Sequence, residues 1–303
     1  MLESKEISMK HSALIGRVIA ECAPHIKYTD KDLREAENEF TKSDIEEMKS
    51  LGLMKDSFEE FYVIREFISR LPFSDELDGE YISDIFFNAK MLDGDEFMSD
   101  PYIKNVNFKD TKKGDILLTY ASYMKGEIFQ YDMPVITKDK VIPRLGFFNK
   151  AVRFPALYEG VVPWVSVCPS EINSMKNDIE AAHGRVLVLG LGLGYYPFIA
   201  SASEKVERIT IVEINKKTAD IFEETILPCF PEKEKIKVIV ADAVEYMKTV
   251  SEDDFDFCFA DIWEGAVDGA PLYLKIKAHE KRLSKTEFTY WIKNEIEEYL
   301  SEK

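Results

Sequence analysis

Cysteine and histidine are scarce in this sequence. It has four of each in 303 residues, and Cys22, Cys168, Cys229 and Cys258 stand far apart with no CxxC pair. A disulfide scaffold or structural zinc site therefore has little support, no metal is expected, and a reduced, cytoplasmic setting is the default. Cations are also short, with 39 Lys and Arg against 56 Asp and Glu, a formal charge of −17. A protein that grips nucleic-acid backbones needs the opposite balance, so nucleic acid is not an expected partner. No apolar run approaches the roughly 18 residues of a membrane span. The opening MLESKEISMKHSALIG lacks the apolar stretch of a secretory leader, so neither membrane insertion nor export is expected. Also missing are GxxxxGK[ST], GxSxG and HExxH, which leaves ATPase, serine-hydrolase and zinc-protease chemistry without local support.

Apolar material is plentiful. Hydrophobic residues make up 46%, with 20 Phe and 14 Tyr, enough to exclude a wholly disordered chain. The length suits two domains. Three stretches differ in character. Residues 1–100 hold 24 Asp and Glu against 12 Lys and Arg and read as helical. Capping boxes are expected at Ser43 with Glu46 and at Ser57 with Glu60. Phe58, Phe61, Ile64, Ile68 and Leu71 then follow helical spacing up to Pro72, and Tyr81, Ile82, Ile85, Phe86 and Ala89 form another such set. The acids read as the solvated faces of these helices or as a surface for a cationic partner. Residues 101–165 read as a small β-rich region, with turns at Gly114-Asp115 and Lys125-Gly126 around Ile116–Tyr120.

From residue 166 to 303 the pattern changes again. A helix from Pro169 to Ala182, ended by Gly184, precedes four apolar runs: Val186–Leu189, Ile209–Val212, Ile236–Val240 and Phe255–Ala260. The runs are continuous, as in parallel strands buried on both faces, and helical segments separate them. The expected fold is α/β, a doubly wound parallel Rossmann-like sheet of order 3-2-1-4 beside a helical and β-rich N-terminal region. After Asp261, Leu272, Leu274 and Ile276 fit either a short strand or a helix. Ser284 with Glu287 reads as the capping box of a terminal helix, so the sheet is expected to be truncated at its C-terminal end.

The chemistry is written at the strand ends. Gly190, Gly192 and Gly194 follow the first run. Such glycines let the chain leave the strand tightly and let N–H groups approach a ligand at a helix N-terminus. A plain strand-to-helix turn would use them too. A dinucleotide fingerprint would need a glycine where Tyr195 stands. Glu213 ends the second run and can accept both hydroxyls of a ribose, or serve as a helix N-terminal acid. Asp242, followed by Ala243, lies past the third run, where it can face an adenine or cap a helix. Asp261 lies past the fourth, at the mouth of the sheet, with capping as the structural alternative.

In this order the residues resemble the class I S-adenosylmethionine-dependent methyltransferases, and within them the branch that includes spermidine synthase. The likeness covers about residues 165–265. It implies S-adenosylmethionine as cofactor, with Gly190, Gly192 and Gly194 against its methionine part, Glu213 on its ribose, and Asp242 with Ala243 at its adenine. Asp261 becomes the candidate catalytic base or amine holder. Leu193 stands where spermidine synthases resemble one another in a loop acid, which disfavours aminopropyl transfer. Trp164, Glu171, Tyr195, Tyr196, Trp263 and Glu264 are weaker candidates for substrate contact, as is Ser166, while His183 reads as structural. The expected activity is methyl transfer to a small-molecule acceptor. The alternatives are a non-catalytic nucleoside-binding or interaction module, an aminopropyltransferase-like enzyme, and a nicotinamide dehydrogenase, the last opposed by Tyr195. The oligomeric state is left open.

Overall fold

The computed structural model describes residues 2–51 and 57–301. They divide into two units, one of residues 1–98 and 122–153, the other of 99–121 and 154–303.

The first unit is mainly helical, with helices Leu2–Cys22, Asp30–Glu37, Lys42–Ser50, Phe58–Ser69 and Gly79–Asn88. Ser57 caps Phe58–Ser69 by accepting from the Glu60 N–H at 3.1 Å. The box expected at Ser43 lies two residues earlier. Thr41 accepts from Asp44 N–H, and the Asp44 carboxylate accepts from Thr41 N–H at 2.7 Å. Aspartate at the third helical position closes this box as glutamate would. Glu60, expected to reach back to Ser57, instead accepts from the Met91 N–H at 3.1 Å. A three-stranded sheet, ordered Lys90–Leu92, Val141–Phe148, Phe129–Ile136, packs Leu145 and Phe147 with Ile64, Phe67 and Ile85.

The second unit carries a four-stranded sheet and a parallel five-stranded one. Strands Thr111–Lys113, Ile116–Tyr123, Val152–Glu159 and Val162–Ser166 form the first, joined early by a hairpin at Gly114, whose φ is +64°. The second has the order Ile236–Val240, Val206–Glu213, Gly184–Leu189, Phe257–Ala260, Glu287–Tyr290, every pair parallel. Its central strands, Val186–Leu189 and Phe257–Ala260, are buried throughout, which explains their unbroken apolar runs. Arg185 ties these two neighbours through a forked ion pair to Asp256, with Nε–Oδ2 and Nη2–Oδ1 both 2.8 Å.

The fifth strand corrects the expected terminal helix. Phe288, Thr289 and Tyr290 favour an extended backbone, and Phe288 and Tyr290 stand in register with Cys258 and Ala260. Thr286 Oγ1 donates to the Phe255 carbonyl at 2.8 Å just before the strand starts. The helix begins later, at Lys293–Ser301. Leu272, Leu274 and Ile276 lie on a helix, Ala266–Lys277, whose start is held by Asp268 accepting from Glu264 and Gly265 N–H groups at 2.9 Å. Among the described residues the parallel sheet ends with this fifth strand.

Chain order in this sheet runs outward from Gly184–Leu189 to Val206–Glu213 and Ile236–Val240, then crosses back to Phe257–Ala260 on the other side. The reversal lies between the strands that end at Leu189 and Ala260. Open α/β sheets bind ligands outside the carboxyl ends of their strands at such a reversal.

Candidate functional site

Two chain segments meet at the reversal. Gly190 has a φ of +97°, and a Cβ there would overlap the Asp261 carbonyl oxygen. The Gly190 N–H donates to the Val212 carbonyl at 2.9 Å, and the Asp261 N–H to the Leu189 carbonyl at 2.8 Å. Gly194, with φ +76°, starts helix Tyr195–Ser201, and a Cβ there would strike the Phe222 ring. Gly192, with φ +53°, differs: a Cβ would meet only Val165 Cγ2, at 3.7 Å. So packing demands glycine at 190 and 194, while the face of Gly192 stays open.

Helix Pro101–Asn105 buttresses this loop. Tyr102, fully buried, donates its hydroxyl to the Leu193 carbonyl. Asp100 accepts from the Tyr195 hydroxyl at 3.0 Å through one oxygen and caps its own helix at Tyr102 N–H, 2.8 Å, with the other. Sequence reading singled out neither residue, since nothing local marks a helix that acts on a loop about 90 residues away.

Glu213 ends the second strand and is 9% exposed. Its Oε1 accepts from Asn215 N–H at 2.7 Å and its Oε2 from Leu191 N–H at 3.2 Å. Burial raises its pKa and these backbone donors oppose the rise. The Ile214 N–H adds a third backbone bond, which leaves one of the carboxylate's four lone-pair sites open. Asp242 is exposed and caps helix Ala243–Met247 by accepting from Glu245 N–H at 2.9 Å; Ala243 is buried beneath it. Two large apolar side chains beside these acids face solvent, Ile214 at 69% and Val240 at 48%. An apolar residue left bare at a strand tip next to a buried carboxylate suits a flat ring. Ile214 was legible only as the residue after Glu213.

Beside Gly192 lies a cavity of about 40 Å³, lined in part by Gly192, Leu193, Tyr195, Tyr196, Glu171 and Asp261. The carboxylates of Glu171 and Asp261 accept no hydrogen bond from any described residue. Burial pushes Asp261 up to about 8, with the charges of Glu171 and Asp178 adding to the rise. Burial likewise pushes Glu171 up to about 7 and Asp178 up to about 6. Val165, Val167, Ile172 and Met175 supply the apolar wall.

The remaining candidates are placed as follows. Tyr196 stacks on Phe259 with ring centres 4.2 Å apart and donates to the Asp178 carbonyl at 3.1 Å. Ser166 lines the cavity; Trp164 lies on the same edge strand, 53% exposed, and does not. Trp263 is 7% exposed and donates to the Trp291 carbonyl at 3.3 Å, packed in the core away from the cavity. Glu264 is exposed at the start of the following helix. His183 contacts the Ala181 carbonyl at 3.0 Å and meets Phe257 edge-on. No cluster of metal-ligating side chains occurs among the described residues, and no described helix is long and apolar enough to cross a membrane.

No protein-family model matches this chain, and no match is found among curated proteins. Part of the structure superposes on a Streptococcus pneumoniae protein described as a tRNA (m1A22) methyltransferase. The identity is 15%, the match covers 38% of this chain and 50% of that one, and the TM-score is 0.31. A Klebsiella pneumoniae protein described as an O-methyltransferase matches at 18% identity, over 30% of this chain and 41% of that one, with a TM-score of 0.25. The chain thus spans half or less of the length of these structures.

Proposed function

We propose that this chain is a class I S-adenosylmethionine-dependent methyltransferase with a Rossmann-like sheet, acting on a small-molecule acceptor. One observation carries the reading: the ends of adjacent parallel strands bring an open-faced glycine loop, the buried Glu213 and the unpartnered Asp261 around a single reversal of strand order. The residues fit an adenosine-bearing cofactor. Gly192 leaves space that a Cβ would fill, Glu213 has one lone-pair site to spare, and Ile214 and Val240 are bare where a base would need apolar cover.

In this reading Gly190, Gly192 and Gly194 hold the methionine part, Glu213 the ribose hydroxyls, and Asp242 with Ala243 the adenine edge. The cofactor supplies a methyl carbon already activated by its sulfonium. The protein's task is then chiefly alignment and removal of an acceptor proton. In this reading Asp261, which lines the cavity beside Gly192 and has no hydrogen-bond partner on its carboxylate, takes the second task. With a pKa pushed up to about 8 it is a stronger base than an ordinary carboxylate and serves as one where it is ionised, near and above pH 8. Leu193 remains an argument against aminopropyl transfer. Calorimetry with S-adenosylmethionine, its demethylated product and NAD tests the proposal. Binding of the first two and not the third is expected; binding of NAD alone, or of none, removes it.

A further inference from the structure

The cavity beside Gly192 has one chemical peculiarity. Glu171, Met175 and Asp178 lie four and three residues apart, so they share one face of helix Pro169–Ala181. Glu171 and Met175 line the cavity together with Asp261, and the charge of Asp178 reaches Asp261 from the same helix. Two carboxylates, Glu171 and Asp261, therefore line a space with no Lys, Arg or His in its lining, and the charge of Asp178 acts on it from behind. Elsewhere in this unit, acids with depressed pKa values have cations on them, as Asp256 has Arg185 and Asp115 has Lys217. Keeping the carboxylates of Glu171 and Asp261 away from water without a cation or a hydrogen bond costs free energy. A ligand that brings a positive charge recovers it.

Resting on the methyltransferase reading of the site, we propose that the acceptor is an amine that enters the cavity as its ammonium ion, held by Glu171 and Asp261 with Asp178 adding charge. The neutral parts of the lining agree. Val165, Val167, Ile172, Met175 and Leu193 suit the carbons next to the nitrogen, and Tyr195 and Tyr196 complete the uncharged part of the wall. The space of about 40 Å³ takes the nitrogen and its first substituents, since one water needs about 10–15 Å³. The rest of the acceptor lies outside. The ammonium must shed one proton before its lone pair is exposed. Asp261 receives that proton, and the neutral amine remains held by Glu171.

The test pairs n-butylamine with n-butanol, probes equal in shape and different in charge. Binding to the full-length, cofactor-free protein is followed by chemical shifts of Gly192 and Leu193. The amine is expected to bind at least tenfold more tightly than the alcohol. Glu171→Gln should weaken the amine by about threefold to tenfold and leave the alcohol alone. Amine binding should tighten from pH 5 to pH 8, as Glu171, Asp178 and Asp261 ionise while the amine stays charged; Tyr195 and Tyr196 stay neutral because burial drives their pKa values far up. Asp178→Asn should give the same trend as Glu171→Gln and serves if that variant fails to fold. Equal binding of alcohol and amine, or an amine affinity indifferent to both substitutions, overturns the proposal. Calorimetry with S-adenosylmethionine is run in parallel. A protein that binds the amine and not the cofactor loses the methyltransferase reading and keeps the cation site; the converse result loses the cation site alone.

Discussion

The α-carbon of Gly190 lies so close to the carbonyl oxygen of Asp261 that no side chain fits between them. This contact joins the two strand ends between which the sheet reverses, and it sets the glycine loop and the candidate base in fixed relation. An alanine at 190 would incur about 1–2 kcal/mol for its positive φ and a further ~1–3 kcal/mol for overpacking. Gly190→Ala should therefore lose roughly 2–5 kcal/mol in chemical denaturation. At Gly192 only the backbone penalty applies, because its open face meets Val165 at 3.7 Å. Gly192→Ala should stay within about 2 kcal/mol of wild type, while Gly192→Val should abolish cofactor binding by filling the space above the loop. Normal cofactor affinity in the valine variant would make the loop a mere turn.

Glu213→Ala removes the group assigned to the ribose. A hydrogen bond to a charged partner contributes about 1.5–3 kcal/mol, so calorimetry should show S-adenosylmethionine affinity falling roughly tenfold to a hundredfold. The same substitution strips Leu191 and Asn215 N–H groups of their acceptor. A modest loss of stability should accompany the loss of affinity. Stability lost with affinity untouched would leave Glu213 as a structural brace.

The strand ends before Gly190, Glu213 and Asp261 could be read from sequence because Val186–Leu189, Ile209–Val212 and Phe257–Ala260 are buried on both faces, which leaves continuous apolar runs. The edge strand Ile236–Val240 is mostly apolar in sequence yet only partly buried. Glu287–Tyr290 escaped for the opposite reason. It is four residues long, and the pair Ser284 and Glu287 imitates a helix start. Its strand character comes from pairing with Phe257–Ala260, a tertiary fact with no local trace. Asp178 was passed over because a lone acid on an amphipathic helix looks solvated. Only the position of Asp261 across from that helix gives it meaning. Trp263 looked like a crevice residue by proximity to Asp261, yet the chain turns and packs it under Gly269.

Tyr102 fixes the loop from outside by donating to the Leu193 carbonyl. Tyr102→Phe leaves that carbonyl unsatisfied and should lose about 1–3 kcal/mol of stability. If the hydroxyl also sets the loop for its ligand, cofactor affinity should fall by more than the acceptor KM rises. Asp100→Asn keeps an acceptor for Tyr195 and should stay close to wild type in both. An unchanged cofactor affinity in Tyr102→Phe would confine the residue to packing.

The ligand-free protein should grow more stable as pH falls from about 8 toward 5. Asp261, Glu171 and Asp178 have folded pKa values of about 8, 7 and 6, above the ~4 of an unfolded carboxyl group. In that window the folded state binds more protons, so its stability declines as pH rises. Asp256 acts in the opposite sense and lower down. Arg185 depresses its pKa, so its contribution holds above pH ~4 and is lost only in stronger acid. Thermal melts across pH 5–8 check the first trend. Glu171→Gln should flatten it, and a slope identical to wild type would show that Glu171 is not strained in the folded protein.

Asp261→Asn should separate stability from function. The amide is nearly isosteric and carries no charge, so the variant should match or exceed the wild-type melting temperature at pH 8, where the wild-type carboxylate is partly ionised without a partner. Asp261 lines the cavity beside Gly192 and Glu213 does not, so calorimetry should find S-adenosylmethionine affinity nearly intact. Turnover of an amine acceptor, measured as release of the demethylated cofactor, should drop by about 10²–10⁴-fold if Asp261 takes the proton. A carboxylate that only holds the ammonium would show its loss mainly in KM. A buried acid whose removal stabilises the fold and cripples the reaction is one kept for its chemistry. If the Asn variant is as active as wild type, Asp261 is not the base. If wild type binds the cofactor and turns over no amine, the chain is a binding module built on a methyltransferase-like sheet.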